Sequence, residues 1–288
     1  MRCVRAVLVI CALTLAIGGH ARAAGPVRIV AAETVYGDVA SQIGGAAVRV
    51  TSILGNPDQD PHMFEASPSV ARALAGARIA VMNGIGYDPW MARLLAATNA
   101  PGRAVLTVAT LGGHRPGDNP HVWYDLPTMR AYAAALETAL EQADPADAAG
   151  FRARRAAFDA SLAPIEARIA ALKSRLAGTQ VTATEPVFGY VFAALGLTVR
   201  NMAFQMAVMN DTEPGMREVA AFERDLRTRT VKLLVYNAQA ATPLATRMAG
   251  LARRSGVAVV GVTETEPPGR RFQAWMLDEL DALARALP

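Results

Sequence analysis

Four residues of this 288-residue chain pair metal-ligand chemistry with places where a fold can hold them still: His62, His121, Glu185 and Glu264. His62 ends Asp58-Gln59-Asp60-Pro61-His62, and His121 sits in Asp118-Asn119-Pro120-His121-Val122-Trp123, so each imidazole follows a proline that stiffens the backbone before it. A ligand imidazole needs such a pre-set backbone, because its nitrogen must be held near one productive geometry. Glu185 follows the β-like run 180–184, and Glu264 follows the run 257–262 in Thr263-Glu264-Thr265-Glu266-Pro267. Two imidazoles and two carboxylates, brought together, suit a divalent first-row ion such as Mn²⁺, Fe²⁺ or Zn²⁺. Taken singly, each has a plainer use. A loop histidine can face solvent or cap a helix, and Glu185 can cap the helix expected after it. His114 reads either as an exposed loop residue or as a capture group passing an ion inward to His121. Asn210-Asp211-Thr212-Glu213-Pro214 reads as an N-cap for a helix starting near Pro214. Trp123 and Trp275 read as packing residues.

The elements that must position these residues alternate along the chain. Runs 27–32, 48–54, 77–83 and 104–108 read as strands separated by short helices, one opening at Ser67-Pro68. Residues 126–177 are rich in Ala and Arg with few strand signals. There Phe151, Phe158, Leu162, Ile165, Ile169, Leu172 and Leu176 repeat at helical spacing and predict one long helix, kinked at Pro164. The alternation then returns, with strands at 180–184, 197–201, 232–237 and 257–262 and helices near 187–195, 214–228, 243–255 and 270–286. The fold class is α/β: two lobes with mainly parallel sheets, residues 24–142 and 178–288, joined by a long rigid helix at 143–177. In open sheets of this kind ligands bind beyond the carboxyl ends of the strands, which is where all four candidates lie.

Composition narrows the function class. Hydrophobic residues make up 52% and charged residues 19% of the chain, enough apolar content for two real cores. Residues 1–23 carry Arg2 and Arg5, an apolar stretch from Ala6 to about Ile17, and Ala21-Arg22-Ala23, the three-part pattern of a secretory signal peptide. Cys3 and Cys11, the 2 cysteines of the chain, lie within it, so the mature protein is expected to carry no thiol. Its three arginines also account for most of the net charge of +4: without them 26 of the 29 basic residues remain against 25 acids. Arg152, Arg154 and Arg155 read as a solvated helix face, and no nucleic-acid surface or stable membrane insertion is expected.

The motifs resemble, in order, those of the metal-specific periplasmic solute-binding proteins of ABC transporters, the zinc/manganese/iron cluster also called cluster A-I. Asp60-Pro61-His62-Met63-Phe64-Glu65 with Ser67-Pro68 resembles the first ligand motif of that family. Asn119-Pro120-His121-Val122-Trp123-Tyr124-Asp125 is similar to the second, Glu185-Pro186-Val187-Phe188-Gly189-Tyr190 to the third, and Val262-Thr263-Glu264 to the fourth. Asn83-Gly84-Ile85-Gly86 and Gly44-Gly45 match as well. The resemblance implies metal bound between the lobes by His62, His121, Glu185 and Glu264. It also implies a monomer in the periplasm that delivers the ion to a membrane permease driven by a separate ATPase.

The chain departs from the family pattern in places. Glu185 stands where zinc-uptake members usually carry His, and the segment before the second motif, 111–120, is short with His114 alone. Asn237 stands where many members are acidic, and Glu264 replaces the more usual Asp with Glu266 close by. The expected function is capture of zinc or manganese, with Fe²⁺ also compatible, for uptake, and no enzymatic activity. The alternatives are a secreted metal chaperone or adhesin-like protein, and a metallohydrolase with Glu264 as general base. The latter lacks an H-E-x-x-H helix or a Ser–His arrangement.

Overall fold

The structure is a computed structural model that describes residues 25–56, 64–98, 100–240 and 242–287. The signal-peptide reading, both cysteines and the segment carrying His62 lie outside the described residues.

Among the described residues, eight strands form two four-stranded parallel sheets. The first holds β1 (Val27–Glu33), β2 (Val48–Leu54), β3 (Ile79–Met82) and β4 (Ala104–Thr107) in the order β2-β1-β3-β4. The second holds β5 (Gln180–Ala183), β6 (Thr198–Val199), β7 (Leu233–Asn237) and β8 (Ala258–Val262) in the order β6-β5-β7-β8. The lobes therefore repeat one topology. Central strands of a helix-covered parallel sheet are buried on both faces and need unbroken apolar runs. Ile79–Met82 is buried throughout, and so is most of β1, whereas edge strand β2 exposes Arg49 and Thr51.

Strand order decides where chemistry can sit. In each sheet the order reverses beside the first strand, leaving a crevice at the carboxyl ends of β1 and β3 and of β5 and β7. Glu33 ends β1, and Asn83 directly follows β3. Glu185 lies two residues past β5, and Asn237 ends β7. Because β7 pairs with both β5 and β8, Asn237 stands between the segments that carry Glu185 and Glu264.

The connection between the lobes differs from the single long helix that the apolar stripe predicts. It contains Leu126–Ala143, then Ala148–Ser161 and Ala163–Leu176, separated at Leu162. Pro164 falls in the first turn of the last helix, where its missing N–H leaves no hydrogen bond unmade. The stripe itself is buried: Phe151, Phe158, Leu162, Ile165, Leu172 and Leu176 join a core that runs unbroken from Ile29 and Tyr132 in one lobe to Val181, Phe188 and Trp275 in the other. A second cluster around Phe204, Phe222, Leu226 and Met248 fills the outer side of the second lobe. Arg152, Arg154 and Arg155 pair with Glu141, Asp147, Glu137 and Asp159, as a solvated helix face requires. Among the described residues no helix is long and apolar enough to cross a membrane.

The cluster 210–214 does not cap the following helix. That helix, Met216–Arg227, starts after Gly215 without a side-chain cap, and Thr212 instead bonds back to the Ala207 carbonyl. Asp211 takes a left-handed backbone conformation, φ 52°, which bends the chain there before a cap can form.

Candidate metal centre

His121 is fully buried at the seam between the lobes. The residues just before it fix its orientation. The Asn119 amide nitrogen donates to the Pro186 carbonyl across the seam at 2.6 Å, so its Oδ1 must face the other way. That oxygen accepts the His121 backbone N–H at 3.1 Å and lies 2.6 Å from Nδ1. Nδ1 therefore carries a ring proton, and in the neutral ring Nε2 presents a lone pair. Nε2 has no hydrogen-bond partner among the described residues and points at Glu264 Oε2, 3.4 Å away. In the neutral ring, a lone pair facing a carboxylate oxygen in a buried pocket is a repulsive contact that a bound cation would turn into an attractive one.

Close packing holds this geometry. Gly189 lets the Asn119 loop approach the second lobe: a Cβ there would stand 2.7 Å from Asn119 Nδ2. Asn83 Nδ2 donates to the Pro120 carbonyl at 2.9 Å and pins the loop from the other side. The rings of Tyr87 and Trp123 stack edge-on around His121 with centroids at 6.0 and 5.3 Å.

The carboxylates come from the second lobe. Glu264 is 1% and Glu185 3% exposed. Glu185 does not cap the helical segment that follows it. Its Oε2 accepts the Asn237 amide at 3.2 Å, and the same Nδ2 makes a short hydrogen bond to Glu264 Oε1. Glu264 Oε2 accepts the Tyr87 hydroxyl at 2.8 Å. Burial, then the Glu264 charge, pushes the Tyr87 phenol well above its ordinary range, so it stays a neutral donor. Gln239 Oε1 accepts the backbone N–H groups of Glu264 and Thr265 at 2.7 and 2.8 Å, fixing the turn after β8. Behind it, Glu279 accepts from the Thr263 N–H and the Trp275 indole, and burial pushes its carboxyl up to about 8. Tyr124, from the first lobe, places its hydroxyl 2.6 Å from both the Thr263 carbonyl and Glu279 Oε2. Both oxygens are acceptors for that one hydroxyl proton.

Of the four candidates, the structure brings His121 and Glu264 into direct contact and ties Glu185 to Glu264 through Asn237; His62 lies outside the described residues. Among the described residues no three His, Cys, Asp or Glu side chains gather closely enough to hold an ion by themselves. Glu266 turns elsewhere: it is buried near Asp38 of the first lobe, and burial, then Asp38, pushes it up to about 9. His114 is neither an exposed loop residue nor in contact with His121. Its Nε2 lies 2.8 Å from Thr128 Oγ1, and its ring packs edge-on against Tyr190. Trp123 and Trp275 are buried packing residues, with Trp275 also donating to Thr263 and Glu279. Tyr87 and Glu279 give no motif signal, since each acts through a partner distant in sequence.

A family model described as ZnuA, zinc-uptake complex component A periplasmic, matches residues 29–286. The manganese-binding lipoprotein MntA of Halalkalibacterium halodurans is 29% identical over 136 residues, 46% of this chain and 44% of that protein. MntA of Bacillus subtilis is 23% identical over 214 residues, 71% of this chain and 69% of that protein. The alignment thus spans less than half the length of the first of these relatives. The periplasmic zinc binding protein TroA from Treponema pallidum shares the fold at a TM-score of 0.75 and 17% identity, covering 91% of this chain and 99% of that one. A cadmium-bound periplasmic metal binding protein from Candidatus Liberibacter asiaticus does so at 0.71 and 16%, covering 91% and 100%.

Proposed function

The chain belongs to the ZnuA family of periplasmic zinc-uptake components, and from that premise we propose that it captures a divalent transition-metal ion, zinc or manganese, in the periplasm and hands it to an ABC permease for uptake. We read it as a carrier, not an enzyme. The ion is its cargo, held by His121, Glu185 and Glu264, with His62 as the fourth ligand that the motif resemblance implies.

The observation that carries this reading is the buried His121 Nε2, without a hydrogen-bond partner among the described residues, facing Glu264 Oε2 at 3.4 Å. Two carboxylates balance the double positive charge of the ion, so the loaded site is close to neutral inside a dry protein. The imidazoles bind as neutral bases and the glutamates as anions, so loading releases protons and weakens as the solution is acidified. His121, Glu185 and Glu264 are buried, so an ion reaches or leaves them only when the residues over them move. Calorimetric titration of the metal-free protein with Zn²⁺ and Mn²⁺ tests the reading. Wild type should bind one ion, and the double variant His62→Ala/His121→Ala should lose that binding. Equal affinity in both would reject the site. In cells, deletion of the gene should slow growth under zinc or manganese starvation.

A further inference from the structure

The first lobe gathers arginines at the amino ends of its strands, the end of the sheet away from the metal centre. Arg28 and Arg49 stand in register on the neighbouring strands β1 and β2, and Arg78, just before β3, donates its backbone N–H to the Arg28 carbonyl at 2.8 Å. All three are exposed and line one open cavity of about 720 Å³. Arg72, in the last turn of the helix Pro68–Ala75, joins Arg28 and Arg49 around a smaller cavity beside it. Among the described residues neither cavity has an acid in its lining, and no carboxylate pairs with any of the four arginines. Arg78 donates to the Gly102 carbonyl, and the side chains of Arg28, Arg49 and Arg72 make no hydrogen bond among the described residues. Asp144 follows the lining residue Ala143 and offsets one of the four charges at most. The fold does not ask for this charge. In the second lobe, which repeats the strand order, the matching register positions hold Gln180, Thr198 and Lys232. Like charges side by side on neighbouring strands repel, so the cluster works against the sheet that carries it.

We propose that this face docks reversibly on an anionic phospholipid bilayer, with the guanidinium groups of Arg28, Arg49, Arg72 and Arg78 engaging lipid phosphates. Guanidinium forks match phosphate oxygens two at a time. Magnitudes favour a bilayer over a single dissolved anion. An exposed pair between one arginine and one small ion gains little and is screened by salt. A bilayer presents many phosphates at once, and each basic side chain near an anionic leaflet strengthens binding by about fivefold. Four such factors multiply to roughly several hundredfold, enough for adsorption that salt can reverse. The contact is peripheral. His121 and the two glutamates lie beyond the other end of the strands, so docking here leaves the metal centre uncovered. It keeps a carrier close to the membrane that houses its permease, and it holds whichever residues bind the ion.

Vesicle flotation at low salt tests it, with protein purified from the soluble fraction of cells that express the full chain. Wild type should float with vesicles of equal parts phosphatidylglycerol and phosphatidylcholine, stay behind with phosphatidylcholine alone, and be released by added salt. Arg28→Gln/Arg49→Gln/Arg72→Gln removes three side chains that make no bond within the described residues. Its melting temperature and Zn²⁺ affinity should match wild type, while its partitioning onto the anionic vesicles falls by about a hundredfold. Arg49→Gln alone should cost about fivefold. Arg217→Gln/Arg227→Gln/Arg254→Gln removes the same charge from the second lobe and should cost much less than the first triple variant. Wild type that binds both kinds of vesicle alike, or neither, overturns the proposal. So does an equal loss in the two triple variants, which would show a response to net charge without a docking face. Release by inorganic phosphate but not by chloride of matched ionic strength would assign the cavity to a soluble anion and overturn the bilayer as its partner.

Discussion

The two lobes share a strand order, and each ends its first strand near a buried glutamate and its third near a buried asparagine. Yet they use the pair differently. In the first lobe Glu33 is 3% exposed and its neighbour is Asp88, whose carboxylate is already engaged by the backbone N–H groups of Asn83 and Gly84 at 2.7 and 2.8 Å. Burial, then the Asp88 charge, pushes Glu33 well above the usual carboxylate range, so it stays a neutral acid beside Asp88. In the second lobe Glu185 meets an amide donor, Asn237, and a second carboxylate, Glu264. The asparagines diverge as well. Asn83 accepts the Tyr36 hydroxyl and donates to backbone carbonyls, holding the loop of His121, while Asn237 donates to the carboxylates themselves. One topology thus sets a buried glutamate against an aspartate on one side and against an amide donor and a second carboxylate on the other.

The sharpest way to break this contrast is to neutralise the glutamates one at a time. Glu185→Gln and Glu264→Gln should each weaken metal binding by roughly a hundredfold or more, beyond the outer-shell range. Glu33→Gln should leave it within a few-fold, because an amide is nearly isosteric with the neutral acid. Calorimetric titration of the three variants reads this directly, and a large loss in Glu33→Gln would erase the contrast between the lobes.

The next effect belongs to the His121 mount. Asn119→Ala frees the ring to change tautomer and should lower affinity by about 10–100-fold, as loss of an outer-shell partner does at metal-bound histidines. Gly189→Ala acts on the same mount through space, forcing a methyl group toward Asn119 Nδ2. Its expected cost is about 1–3 kcal/mol of stability, read as a lowered melting temperature of the metal-free protein.

The smallest effect is on pH dependence, and it concerns the acids that hold protons. Glu33 and Glu279 both have carboxyls raised in the folded chain, Glu279 from 4.5 to about 8. Over that window the unfolded chain binds fewer protons than the folded one, so the Glu279 contribution to stability is complete in acid and is lost as pH rises toward about 8, and Glu33 acts in the same direction. The melting temperature of metal-free protein should therefore carry a downward slope with pH from these two groups. Glu279→Gln should flatten part of that slope, and an unaltered slope would mean that Glu279 is ionised in the fold.

Much of the fold is legible in the sequence, because it rests on local patterns. The eight strands fall within a few residues of the apolar runs that predict them, and the helix Pro243–Ser255 has the bounds that its flanking Thr242 and Gly256 suggest. The break at Leu162 is harder to read, since the apolar stripe runs through it undisturbed and Pro164 marks only a nearby kink. In the site, Pro-His and strand-end glutamates stand out because ligand types are rare and their positions are set by short motifs. Tyr87, Glu279 and the bridging role of Asn237 do not, because each depends on strand pairing or on contact between residues far apart in the chain. His114 shows the converse. Its place in a loop suggests an exposed residue, but Thr128 and Tyr190, brought in by the fold, partly bury it.

The most direct test of the central claim is anomalous diffraction from crystals of the protein loaded with Zn²⁺ and, separately, with Mn²⁺. The account expects a single peak at about 2.0–2.2 Å from His121 Nε2 and from one oxygen each of Glu185 and Glu264 in the zinc form. A peak at Glu266 or His114, or one that leaves Glu185 and Glu264 uncoordinated, would contradict it.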